Sequence, residues 1–298
     1  MRVPTNSTAE SVLSQITKLG SQQAFLQKQV STNQRIFNPE DDPAAVGRLI
    51  GLDTERRQLL QFKTNAGLAS NIAQSSYSGL TSLADLSDRA SELATLAGDA
   101  TSSSSYEVYA GELNQLLEQA VQVGNTRYGG DYLYAGTALD TAPFTVSRNS
   151  AGQVTSATYA GNSGETPLAL SEVSSVSPRT SGTTNQGIAD FINRIASLRD
   201  ALTAGDTAGI ATARTDLEDS GTLLVNAISD NGAVQLRIEV NAKQQTSRLT
   251  SLGQLASDDA DVDLAATIVK LSQTTTSYEA ALASGSKILQ MSLLDYLR

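Results

Sequence analysis

Ser31-Thr32-Asn33-Gln34-Arg35-Ile36-Phe37-Asn38-Pro39-Glu40-Asp41-Asp42-Pro43-Ala44-Ala45 decides how this chain is organised. Pro39 and Pro43 flank three acids, and neither sits well inside a helix, where proline removes a backbone donor and costs roughly 3 kcal/mol. Asp42 is a good N-cap, and Pro43 then occupies the first helical position. The stretch therefore ends one helix and starts another.

Before it, Val12, Ile16, Leu19, Gln23, Leu26 and Val30 follow an alternating four-three spacing, the pattern of a coiled-coil seam with Gln23 as a polar register mark. After it, residues 44–142 contain no proline, and neither do residues 179–298. A long helix is predicted from 44 to 97, with Leu52, Leu59, Phe62, Ala66, Ala69, Ala73, Leu80, Leu83 and Ala90 on one face. Ser105 is expected to cap a further helix over 106–128, stopped by Gly129-Gly130. Helices resume at 186–203 and at 207–255. The last carries Leu264, Ile268, Leu271, Thr275, Tyr278, Leu282, Gly285, Leu289 and Tyr296 at heptad spacing.

Between these arms the composition changes. Pro143, Pro167 and Pro178 share residues 141–184 with several glycines. Phe144-Thr145-Val146-Ser147, Val154 to Tyr159 and Leu168-Ala169-Leu170 alternate or run apolar between Ser-Ala-Gly and Gly-Asn-Ser-Gly turns, which predicts β-hairpins. The fold expected is mainly α: a long helical rod and coiled coil formed by the N- and C-terminal halves, with a small β-rich insertion in the middle. Three regions are expected: terminal coiled coil 1–43 with 260–298, rod 44–140 with 185–259, and a small outer β domain 141–184.

Composition removes several functional classes. The 298 residues carry a formal charge of −10 and no cysteine or histidine. Disulfides, zinc fingers and imidazole catalysis are excluded by residue type alone. A net acidic chain without a basic run longer than Arg56-Arg57 is a poor partner for nucleic acid or an anionic membrane. No apolar h-region opens the chain and no stretch approaches a membrane span, so any export is expected to proceed without a cleaved signal peptide.

Sharper chemistry fails on inspection. Asp259-Ala260-Asp261-Val262-Asp263 imitates a calcium loop, but Leu264 stands where glycine is needed and Lys270 where the bidentate glutamate belongs. Glu40-Asp41-Asp42 lies in a polar turn, a setting for capping rather than acid-base catalysis. Ser284-Gly285-Ser286-Lys287 and Ser229-Asp230-Asn231 match two motifs of penicillin-recognising enzymes in reversed order, without the third. No catalytic, cofactor or metal site is expected, and no enzyme.

The turn also carries a resemblance. Ser31 to Ala45, with proline on both sides of the acidic triplet, resembles the turn after the first helix of the flagellin-like proteins of bacterial flagella, and in particular their hook-filament junction branch. Leu133-Tyr134-Ala135-Gly136-Thr137 before Thr141-Ala142-Pro143-Phe144, Asn231-Gly232-Ala233-Val234-Gln235-Leu236-Arg237, and Tyr278-Glu279-Ala280-Ala281-Leu282 with the ending Ser292-Leu293-Leu294-Asp295-Tyr296-Leu297 are similar to later signatures of that family. Asn33 stands where the family often has glycine, and asparagine tolerates the left-handed conformation.

The resemblance implies a non-enzymatic structural subunit, extracellular on the flagellum, that joins hook to filament and assembles as a ring. Its implied partners are copies of itself, a hook-associated protein on the hook side, flagellin or another hook-associated protein on the filament side, and a cytosolic export chaperone at the C-terminal segment. The alternative within the family is a filament-forming flagellin. The expected subunit interface is the terminal coiled coil: Val12, Ile16, Leu19, Leu26, Val30, Leu264, Ile268, Leu271, Tyr278, Leu282, Leu289 and Tyr296.

Overall fold

A computed structural model describes the backbone of residues 5–99 and 102–296, and the side chains of 10–98, 102 and 104–287. Among the described residues there are six helices: α1 (Thr5–Thr32), α2 (Pro43–Asp99), α3 (Ser103–Gly124), α4 (Gly182–Ala204), α5 (Thr207–Ala260) and α6 (Leu264–Tyr296). Three antiparallel two-stranded sheets lie between α3 and α4: β1 (Arg127–Tyr128) with β2 (Asp131–Tyr132), β3 (Phe144–Arg148) with β4 (Val154–Tyr159), and β5 (Leu168–Ala169) with β6 (Ser175–Val176). The protein is mainly α with a small β insertion. It divides into two compact units, residues 1–57 with 249–298 and residues 58–248.

In the 58–248 unit the helices share one core. Leu80, Leu83 and Ala90 of α2, Leu113 and Leu117 of α3, Ile188, Ile192, Ile195 and Leu198 of α4, and Leu217 and Leu224 of α5 are fully buried. The spacing repeats one face per helix, as ridge-and-groove packing requires. Two helix boundaries differ from the serine and glycine signals. The cap of α3 is Ser102, whose hydroxyl accepts from the Ser105 N–H, and α3 ends at Gly124 rather than at 128. In a run of four serines any one can cap. Chain exit is set further on, where Phe144 packs over Gly124 so closely that a Cβ there would lie 2.7 Å from the ring.

The β segments have no separate core. Phe144, Val154 and Ala157 are buried, Phe144 and Ala157 within the helical core. The register pairs Phe144 with Tyr159 and Val146 with Ala157. Asn193 of α4 donates to the Ala157 carbonyl (2.9 Å) and accepts from its N–H (2.8 Å), standing in for a neighbouring strand at the sheet edge. The β5–β6 hairpin buries Leu170 and Val176 with Ala66, Ala69 and Ala73 of α2 and Ile238 of α5. Asn65 donates to the Ala169 carbonyl and Arg237 to that of Ser175, holding the hairpin to both helices.

Candidate functional site

In the other unit α1 and α6 run antiparallel along each other. Gln23 of α1 donates to the Thr275 hydroxyl (3.3 Å), Gly20 faces the Tyr278 ring, and Gly285 faces Ile16 and Val12. Val12, Ile16, Leu19 and Val30 are half-buried and Leu26 is buried, and of these Val12 and Ile16 lie against Gly285 of α6.

On α6 the packed row is different. Thr267, Thr274 and Gly285 are buried, and Leu271, Tyr278 and Ala281 are half-buried. Their spacing is again four-three, but three of the six are one residue N-terminal to the apolar series. Leu264, Ile268 and Leu282 are 41%, 51% and 45% exposed. Leu271, Tyr278 and Gly285 belong to both rows. The side chains of Leu289 and Tyr296 lie outside the described residues. The physical reason is the close approach that small residues permit: an added Cβ on Gly285 would be 3.0 Å from Ile16 Cδ1, and one on Gly20 would be 3.4 Å from the Tyr278 ring. The series read from the sequence includes Thr275 and Gly285, which are at the seam, but passes over Thr267 and Thr274.

The turn of residues 33–42 locks this helix pair at its end. Asn33 has φ 56°, the left-handed region, and among the described non-glycine residues it stands apart in this. That turn aims the Asn33 carbonyl at the Val262 N–H (3.2 Å), while the Arg35 N–H donates to the Ala260 carbonyl (2.7 Å). Arg35 then bridges three segments: its guanidinium donates to Asp42 (3.1 Å) and to the Asp259 carbonyl (2.9 Å), and its own carbonyl accepts from Gln29. Arg48 of α2 grips the Asp259 carboxylate through two bonds of 2.9 and 2.5 Å. Phe37 packs edge-on against Phe25 at 5.8 Å, with the Lys28 ammonium 4.0 Å from its centroid.

The acids act as structural acceptors. Asp41 accepts from the Asn38 and Phe37 N–H groups, which hold its carboxyl below the usual range. Asp42 caps α2 through the Ala45 N–H, and this bond and Arg35 lower its carboxyl too. Asp259 is lowered by its bond to Arg48. Asp263 caps α6 by accepting from the Ala266 N–H (3.0 Å). Among the described residues no group of three acids is placed to hold a metal ion. Ser229 and Ser284 each donate to a carbonyl of their own helix, Val225 and Ala281.

A cleft of about 360 Å³ opens beside the β5–β6 hairpin, lined in part by Glu165, Arg179, Asp230 and Arg237. Arg179 already pairs with Asp131 and Thr166, Glu165 with Ser177, and Arg237 with the Ser175 carbonyl. Three of these four charged side chains are engaged within the chain.

Residues 3–138 match the bacterial flagellin N-terminal helical region. The flagellar hook-associated protein 3 of Salmonella typhimurium is 29% identical over 146 residues, 48% of this chain and 46% of that protein. The chain thus spans about half the length of the curated relatives it matches. Among solved structures, a putative flagellar hook-associated protein from Vibrio parahaemolyticus superposes with a TM-score of 0.66 at 16% identity, covering 74% of this chain and 100% of that one. The flagellar junction protein FlgL from Legionella pneumophila gives 0.54 at 14% identity, covering 72% and 100%. Sequence motifs, helical architecture and relatives agree: residues 3–138 are similar to the flagellin N-terminal helical region, and the chain is similar to flagellar hook-associated proteins.

Proposed function

We propose that this chain is a non-enzymatic structural subunit that joins hook to filament in a bacterial flagellum, assembling as a ring through its terminal helices. The observation that carries the reading is the α1–α6 pair. It is tied by a built turn, yet leaves Leu13 64%, Ile268 51% and Leu282 45% exposed, apolar surface that a neighbouring copy would cover. The subunit would be extracellular, with the β insertion outward, exported without a cleaved signal peptide. Its neighbours would be a hook-associated protein on one side and flagellin or another hook-associated protein on the other. A cytosolic export chaperone would hold the C-terminal segment before export.

The test is deletion of the gene, scored by electron microscopy of cells and immunoblotting of spent medium for flagellin. Hooks without filaments, with flagellin monomer lost to the medium, is the expected result. Intact filaments on the mutant would remove the junction role.

A further inference from the structure

The cleft beside the β5–β6 hairpin keeps hydrogen-bonding capacity that the chain itself does not use. One face of α5 supplies Asp230, Asn231, Val234 and Arg237, which stand at i, i+1, i+4 and i+7 and all line it. Glu165 and Arg179, from the segments on either side of the hairpin, line it too.

Asn231 is the informative residue. It is 6% exposed, and its Oδ1 accepts from Gln235 Nε2 at 2.7 Å, which leaves the Nδ2 hydrogens with no partner in the chain. Unpaired donors on buried side chains are costly, and the large majority of such groups in folded proteins have a partner. This one borders a cleft of about 360 Å³, within the range of about 300–1,000 Å³ that ligand sites span. Beside it, Asp230 is exposed and makes no hydrogen bond or ion pair with any described residue, so its carboxylate is a free acceptor.

Charge decides the class of ligand. Glu165 and Asp230 are balanced by Arg179 and Arg237, and Arg179 is already spent on Thr166 and Asp131. A polyanion would meet two carboxylates there, and a cation two guanidinium groups. Among the described residues no aromatic side chain lines the cleft, so there is no platform on which a flat ring would stack. Strand addition by a peptide is obstructed, because Arg237 already occupies the Ser175 carbonyl of β6. What fits is a neutral ligand that donates and accepts at adjacent atoms, as a pair of neighbouring hydroxyls does.

We propose that this cleft binds a neutral saccharide, with the Asp230 carboxylate accepting from one hydroxyl and Asn231 Nδ2 donating to the next. The site is built from residues 165–237 alone and stands whether or not the chain joins hook to filament.

The test uses the full-length chain. A printed array of neutral, sulfated and sialylated glycans, drawn from bacterial envelopes and from animal surfaces, selects the probe. The best neutral saccharide is then titrated into isotope-labelled protein, and the side-chain amide resonance of Asn231, identified by its loss in Asn231→Asp, reports on the site. A saturable shift of that resonance is expected, with core amides of α3 unmoved. Asp230→Ala, at an exposed position, should weaken binding about tenfold or more at an unchanged thermal midpoint, as loss of a hydrogen bond to a charged group implies. Binding to either group of neutral glycans supports the site and names its source. No bound neutral glycan, tighter binding of sulfated or sialylated glycans than of any neutral one, an Asn231 resonance that stays still on titration, or full affinity in Asp230→Ala would each overturn the proposal.

Discussion

Replacing Asn33 tests the turn on which the terminal helix pair depends. Its φ of 56° is open to glycine, tolerated by asparagine, and forced for a β-branched residue, whose Cβ meets the neighbouring carbonyl. Asn33→Val should cost about 1–2 kcal/mol, and Asn33→Gly should be close to neutral, since relief of strain is offset by greater freedom in the unfolded chain. The cost falls on two cross-chain backbone bonds, Val262 N–H to the Asn33 carbonyl and Arg35 N–H to the Ala260 carbonyl. Amide hydrogen exchange reads both directly. With about 1.4 kcal/mol per factor of ten, exchange at Arg35 and Val262 should quicken about 5- to 30-fold in Asn33→Val. Core amides of α3, such as Leu117, should not change. Equal exchange at Arg35 and Val262 in the valine variant would refute the claim that left-handed geometry at Asn33 holds the two segments together.

Lowering the pH should loosen the same turn. Asp41, Asp42 and Asp259 have folded-state carboxyls below the ordinary value of 3.8, because Asn38 and Phe37 N–H groups, the Ala45 N–H and Arg48 respectively favour the charged forms. Their stabilisation is present above that value and is lost as pH falls through the depressed ones; protection of the Arg35 and Val262 amides, relative to the unfolded chain at each pH from 6 downward, should fall only in that acid window. Leu117→Ala removes a fully buried side chain from the helical core and should cost about 2–5 kcal/mol, read as a lower thermal midpoint by circular dichroism. Gly79→Ala would place a Cβ 2.2 Å from the Tyr134 hydroxyl and break its 3.0 Å bond to the Ser76 carbonyl, costing about 1–3 kcal/mol in a urea titration. Deletion of residues 141–184 removes Phe144, Val154, Leu170 and Val176 from buried positions, so the shortened chain should lose thermal stability rather than merely a projection.

The long elements were legible because their signals are local. Two proline-free stretches, an Asp-Pro cap and one apolar face per helix are enough to place α2, α4 and α5, and the Ser-Ala-Gly turn between alternating runs is enough for β3 and β4. The left-handed Asn33 follows only from the family resemblance, where glycine is common at that place, and from asparagine's tolerance of that conformation. The α6 seam was legible only in part: Leu271, Thr275, Tyr278 and Gly285 lie in the heptad series, while Thr267, Thr274 and Ala281 do not. Which of two adjacent rows packs depends on how near α1 comes, and that is set by Gly20, Gly285 and two threonines acting together across the chain. Docking of the β hairpins also escaped the sequence. Asn193 reaching for Ala157, and Phe144 settling over Gly124, are encounters between distant residues with no signature in either segment.

The pairing of first helix with last carries a consequence for the order of events during folding. Gln23 and Thr275 are 252 positions apart, so their encounter closes a loop that contains almost the whole molecule. Closing so long a loop is slow while the intervening chain is unstructured, and becomes easier once that chain has condensed. The helices between should therefore acquire their core first, and the terminal seam should be the last contact made and the first one undone. A nascent polypeptide consequently carries no finished seam until α6, from Leu264 to Tyr296, has emerged.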